Sequence, residues 1–134
     1  MLCYNFSVKD KKLQIQVNKT AEEVFLFTLD PKNTPLWIDS IVKEETNEKP
    51  TKQGTVYKNM NSKGQWSEYT ITAFEKNKMF EMTSEDKNYH VRYTLSSLSN
   101  KTSELEYYEW VDDGDLEEPF TQDILNKLKA VLEK

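Results

Sequence analysis

The chain has one histidine, His90, and one cysteine, Cys3. That scarcity removes most catalytic chemistries at once. A zinc or iron centre needs several imidazole or thiolate ligands, and scattered carboxylates do not close such a site. General acid–base chemistry near neutral pH is left with His90 as its one imidazole. Serine or cysteine nucleophiles need an oriented base and a third group behind it, and no nucleophile elbow is visible around any serine. Cys3 has no neighbour that would stabilise a thiolate, so it reads as a surface or partly buried thiol. With no second cysteine there is no intrachain disulfide. No catalytic residue, metal ligand set or cofactor is called for.

What remains are carboxylates and aromatics. Most carboxylates fall at turns and helix starts; Glu109 is the exception, as the strand register below brings out. The aromatics are spread along the chain as Trp37, Tyr57, Trp66, Tyr69, Phe80, Tyr93, Tyr107 and Phe120, with Ile124 following in the last helix. Any one of them is ordinary core. Several inward tyrosines together are different, because each brings an apolar ring and a hydroxyl that needs a partner. Such a set suits a partly wet pocket for a mostly apolar ligand.

The elements that must position these residues are readable from period and punctuation. Leu13, Ile15 and Val17 alternate with polar residues, the pattern of a half-buried strand, with Lys9-Asp10-Lys11-Lys12 before it as a bend or bulge and residues 4–8 as a possible extension. Thr20 and Glu23 form a capping box, and Ala21, Val24, Phe25 and Leu29 line one face of a short helix that Pro31 ends. Thr34 as cap and Pro35 at the first position start a second short helix, with Leu36, Trp37 and Ile41 as its inner side. Strands are then predicted at 41–48, 55–61, 65–74, 78–84 and 88–98, with polar turns between them, as an antiparallel meander. The charged 41–48 strand reads as edge-like. A helix over residues 116–133 closes the chain, with Pro119 in its first turn and Phe120, Ile124, Leu125, Leu128, Val131 and Leu132 as one apolar stripe. The fold class is α+β: about six to seven antiparallel strands, two short helices between the first two, and a long C-terminal helix. Residues 1–134 form a single domain.

The last hairpin allows a parity argument. Directly opposed residues share a face, so Leu95 opposite Leu105 and Tyr93 opposite Tyr107 give a three-residue loop, Ser99-Asn100-Lys101, with Asn100 suited to positive φ. His90, Arg92 and Thr94 then share the outer face with Glu106, Tyr108 and Trp110. Glu109 falls on the inner face with Tyr107. There it is either an acid in a cavity or a carboxylate reaching solvent at the rim, and the splay of strand ends favours the rim.

The run V-x-K-T-A-E-E-V-F-x-F-x-x-D-P-x-N-x-P-x-W, Val17 to Trp37, resembles the opening of the SRPBCC (START-like) superfamily. Gly54-x-Val56-Tyr57, Tyr69-x-Ile71-x-x-Phe74-Glu75 and Lys101-Thr102 extend the resemblance to nearly the whole chain. The superfamily includes lipid-transfer domains, polyketide cyclase-like proteins, birch-pollen-allergen-like proteins and chaperone activators. It implies a helix-grip fold, with the closing helix held by a concave sheet and a cavity between them. One scaffold carries many activities, so the resemblance speaks to fold more than to function.

Composition narrows the partners. A net charge of −5 with dispersed lysines and arginines argues against nucleic acid or an anionic membrane surface. Nothing approaches a membrane span, and MLCYNFSVKDKK lacks the apolar core of a signal peptide, so a cytoplasmic protein is expected. Three functional classes follow: a carrier holding a small hydrophobic or amphipathic molecule, a polyketide cyclase/dehydrase-like enzyme using Glu109 or a tyrosine, and a chaperone-activator-like interaction protein. The carrier leads, because the cyclase constellation of histidine, aspartate and arginine is missing and the outer surface is evenly charged.

Overall fold

The computed structural model describes residues 8–134. Cys3 and residues 4–7 of the expected 4–8 strand extension lie outside the described residues; Val8 is described and is not in a strand. Ten elements follow in order: β1 (Asp10–Val17), α1 (Ala21–Leu29), α2 (Thr34–Trp37), β2 (Lys43–Thr46), β3 (Val56–Met60), β4 (Trp66–Glu75), β5 (Met79–Ser84), β6 (Tyr89–Ser97), β7 (Ser103–Val111) and α3 (Gln122–Leu132). The strands form one antiparallel sheet in the order β1-β7-β6-β5-β4-β3-β2. This is the α+β helix-grip architecture, a curved sheet with one long helix against it.

The capping box forms as the sequence dictates: the Glu23 N–H donates to Thr20 Oγ1 at 3.1 Å, and Glu23 Oε1 accepts from the Thr20 N–H at 3.2 Å. Val24, Phe25 and Leu29 are buried on the inner side of α1. In α2 the cap position is Asn33, whose side chain makes no capping bond and donates instead to the Phe27 carbonyl at 3.2 Å, while the Thr34 hydroxyl donates to Glu44. Leu36 points outward, half exposed, while Trp37 is buried. The inner side of α2 is Thr34 and Trp37, and Ile41 lies beyond the helix, partly buried against the core.

The β6–β7 register pairs Tyr93 with Tyr107 and Leu95 with Leu105, so the predicted loop stands. Asn100 does not take positive φ; the non-glycine residues that do are Asn77 and Lys87, in the two preceding turns. Residues 10–12, expected as a bend, are strand: Asp10, Lys11 and Lys12 pair with Trp110, Glu109 and Tyr108. Backbone pairing with β7 outweighs a charged run whose side chains reach solvent.

In β4 the pairing with β5 shifts between Ile71 and Ala73, leaving Thr72 as the extra residue of a bulge. The bulge reverses the alternation, so both Ile71 and Phe74 face the core, and it adds curvature to the sheet.

Helix α3 begins at Gln122, later than the sequence predicts. Phe120 and Pro119 therefore belong to the loop before it. Leu125 and Leu128 are fully buried, and α3 packs across β1 and against α2. Its ends are tied down: Lys127 pairs with Asp39, and Lys129 Nζ donates to the Gln16 carbonyl at 2.8 Å. Glu133 accepts from the Asn18 N–H at 2.7 Å.

Candidate functional site

Beside α3, rather than beneath it, the concave face of the sheet stays open. A cleft of about 740 Å³ is bounded by the end of α2, the β3–β4 hairpin, the β5–β6 turn and the loop 115–120. It shares Tyr69, Tyr89 and Phe120, among others, with a smaller inner pocket of about 90 Å³ walled also by Phe80, Met82, Val91 and Tyr93, with Glu44 among the polar residues.

Phe120 divides the two spaces from the helix. Its ring stacks on Tyr107 with centroids 4.0 Å apart and meets Trp37 edge-on at 6.0 Å. Its backbone N–H donates to Glu109 Oε2 at 2.8 Å. Glu109 Oε1 accepts from the hydroxyls of Tyr89 and Tyr107, both at 2.8 Å. Glu109 is 1 % exposed. The rim reading is thus overturned. The strand end does not splay into water, because the loop after β7 folds back over it and delivers an amide to the carboxylate. Three donors on one buried acceptor also fix the loop that borders the cleft.

The remaining predicted residues separate into groups. Tyr69, Phe80, Tyr93, Tyr107 and Phe120 border the inner pocket, and Tyr69, Glu109 and Phe120 also border the outer cleft. Trp66 is half exposed at the cleft mouth, with the Lys43 ammonium 5.9 Å from its ring. Trp37, Tyr57 and Ile124 border neither space. Trp37 is packed edge-on against Tyr93 and Phe120, and its Nε1–H has no partner among the described residues. The Tyr57 hydroxyl donates to the Leu29 carbonyl at 2.6 Å and lies 2.8 Å from Thr51 Oγ1, tying β3 to the end of α1. Burial pushes the tyrosine hydroxyls 57, 69, 89, 93 and 107 above their ordinary pKa, so all five stay neutral.

Glu44 is the residue that the sequence reading missed. It pairs with Asn59 across β2–β3, two residues from the Thr46–Tyr57 pair, so it shares the inward face of Tyr57. Its Oε1 accepts from Thr34 Oγ1 at 2.6 Å; Asn59 Nδ2 approaches Oε2 at 3.5 Å. Desolvation pushes its pKa up to about 7, against the smaller opposing effect of those two donors. In KEET the residue looks like one more charge on an edge strand. Only the register with β3, across the irregular loop 47–55, turns it inward.

On the outer face His90 is held, not free. Its ring stacks on Trp110 at 4.8 Å, Nε2 lies 2.8 Å from Asp112 Oδ2, and Nδ1 lies 2.9 Å from Thr83 Oγ1. Arg92 pairs with Glu81 and lies over the Trp110 ring. Among the described residues no three side chains of the metal-ligating types group to hold an ion, and no helix is long and apolar enough to cross a membrane.

The fold is that of the START-like superfamily. A START superfamily protein from Mycobacterium smegmatis superposes with a TM-score of 0.73 at 12% identity, covering 93% of this chain and 97% of that one. The di-domain ARO/CYC protein BexL of the BE-7585A biosynthetic pathway gives 0.74 at 12% identity, over 94% of this chain and 47% of that one. The Aha1 dimer from Colwellia psychrerythraea gives 0.68 at 12% identity, over 92% and 96%. Within that fold class the chain belongs to the family described as "Domain of unknown function (DUF3284)", matched over residues 12–130. No curated protein matches the chain in sequence.

Proposed function

We propose that the protein binds a small apolar or amphipathic molecule in the cleft beside α3 and holds it without transforming it. The observation that carries this reading is the common wall of the two spaces: an open cleft of about 740 Å³ and an aromatic pocket with one carboxyl at its side share Ile38, Ile41, Asn59, Tyr69, Tyr89 and Phe120. A ligand site of several hundred Å³ with apolar walls and few polar groups has this form. The START superfamily relative supports the carrier reading by fold alone. A second reading, a cyclase/dehydrase-like enzyme, has one observation in its favour: Glu44 titrates near neutrality beside the pocket, where an acid catalyst would be useful. The carrier reading is preferred because Glu44 is held by Thr34 and Asn59, and Glu109 by two tyrosine hydroxyls and a backbone amide, with no histidine or lysine bonded to either among the described residues.

The test is a fluorescence titration with N-phenyl-1-naphthylamine, which is uncharged at neutral pH. Saturable binding is expected, weakened about tenfold by Tyr69→Ala and unchanged by Tyr108→Ala on the opposite face. A non-saturating signal, or equal effects of the two substitutions, would contradict the proposal.

A further inference from the structure

The charged side chains that line the cleft are all acidic, with Lys43 beside Trp66 and Lys58 beside Glu68 standing behind the lining. Its outer part is bordered by seven carboxylates, from Glu68 on β4, the β5–β6 turn, Glu109, and the loop before α3. The inner pocket adds Glu44. Among the described residues no lysine, arginine or histidine lines either space, although the chain carries 18 lysines and arginines. Among the described residues, Glu68 is the one member of this set in an ion pair, with Lys58 at 3.8 Å. A cleft lined by one sign of charge concentrates ligands of the other sign and repels its own.

Two polar groups inside the pocket are incompletely served. Glu44 Oε2 is reached by Asn59 at 3.5 Å and by no cation. Tyr93 is 7 % exposed and borders the same pocket, and its hydroxyl makes no hydrogen bond among the described residues. The hydroxyl is not sealed inside the protein, as the unpartnered Trp37 Nε1 is, and beside the cavity it is placed to pair with a ligand's polar group. The surrounding walls are aromatic: Tyr93 stacks on Phe80 at 4.6 Å, and Tyr69 and Tyr89 meet edge-to-face at 6.3 Å. A carboxylate and a free hydroxyl set among apolar rings suit an ammonium on an apolar body, which takes an ion pair and a hydrogen bond at once.

Resting on the binding reading above, we propose that the ligand is an organic cation, a protonated amine on an apolar body. Its ammonium sits between Glu44 and the Tyr93 hydroxyl, and its body lies outward along Tyr69 and Phe120. Fatty acids and other anionic amphiphiles are then disfavoured occupants, despite the apolar walls.

Three probes with one aromatic body separate charge from shape: 2-(1-naphthyl)ethylamine, 2-(1-naphthyl)ethanol and 1-naphthylacetate, each titrated calorimetrically. The amine is expected to bind at least about tenfold tighter than the alcohol, and the carboxylate weakest. Glu44→Gln keeps the shape and an acceptor for Thr34; it should remove the amine's advantage while leaving the alcohol within about twofold, which also shows that the variant is folded. Glu104→Gln, the same charge change on the outer face, should leave the advantage in place. A carboxylate that binds as well as the amine, or an advantage that survives Glu44→Gln, overturns the charge assignment and leaves the carrier reading standing. If none of the three saturates, both fall.

Discussion

Two inward carboxyls, Glu109 on β7 and Glu44 on β2, are held in different ways. Glu109 accepts from two phenolic hydroxyls and one backbone amide, all at 2.8 Å. Removing that acceptor strands three buried donors, so Glu109→Ala should cost about 3 kcal/mol or more in denaturant unfolding. Glu109→Gln should cost roughly 1–3 kcal/mol, since one end of the amide must present N–H groups to a donor. Glu44 has less support, and burial raises its pKa to about 7. A raised pKa means that the folded state binds the proton more tightly than the unfolded chain. Its contribution is therefore fully present below the ordinary carboxyl value and lost as pH rises through about 7. Wild type should lose on the order of 1–3 kcal/mol from this group between about pH 5 and pH 8, and Glu44→Gln should show a flatter profile by that amount. Urea unfolding of both proteins at the two pH values measures the difference. Of the two carboxyls, strand parity alone turns Glu109 inward. Its burial and the whole of Glu44 depend on loops, 112–121 and 47–55, whose course no local periodicity encodes.

At the scale of elements, the sequence carries most of the fold. Alternation in 13–17, the capping box at Thr20, the even spacing of the strands and the apolar stripe of the last helix each have a local cause, and each element forms. The departures also have causes. The bulge at Thr72 leaves no composition signal, since threonine is at home in strands. Helix α3 starts late because Phe120 is committed to Tyr107 and its amide to Glu109, which pulls residues 119–121 out of helical geometry. The stripe itself gives a clear contrast. Leu128 is fully buried, so Leu128→Asp places an unpaired charge in the core and should cost about 4 kcal/mol or more. Leu36 is 50 % exposed, and Leu36→Asp should stay within about 0.5 kcal/mol of wild type. Thermal melts of the two variants decide it; comparable losses would mean that α2 is more buried than its geometry indicates.

The whole molecule is a sheet whose long helix packs on the β1 side, with an open cleft beside Phe120 and the β3–β4 hairpin. Leu125 and Leu128 fill the space under α3, so the expected cavity beneath the helix is displaced sideways, to the region between Phe120 and the β3–β4 hairpin. The outer face has its own order, with His90, Trp110 and Tyr108 stacked in a row and Arg92 above them. That row is the natural alternative place for function if the cleft has none. The measurement that separates the two is amide and methyl chemical-shift mapping by NMR during titration with N-phenyl-1-naphthylamine. A cleft-binding protein should show saturating shifts at Ile38, Ile41, Met82 and Val91, which border the inner pocket, with Arg92, Glu106 and Tyr108 unmoved. Shifts confined to the Trp110 row, or small shifts spread over both faces without saturation, would contradict the cleft as the binding site.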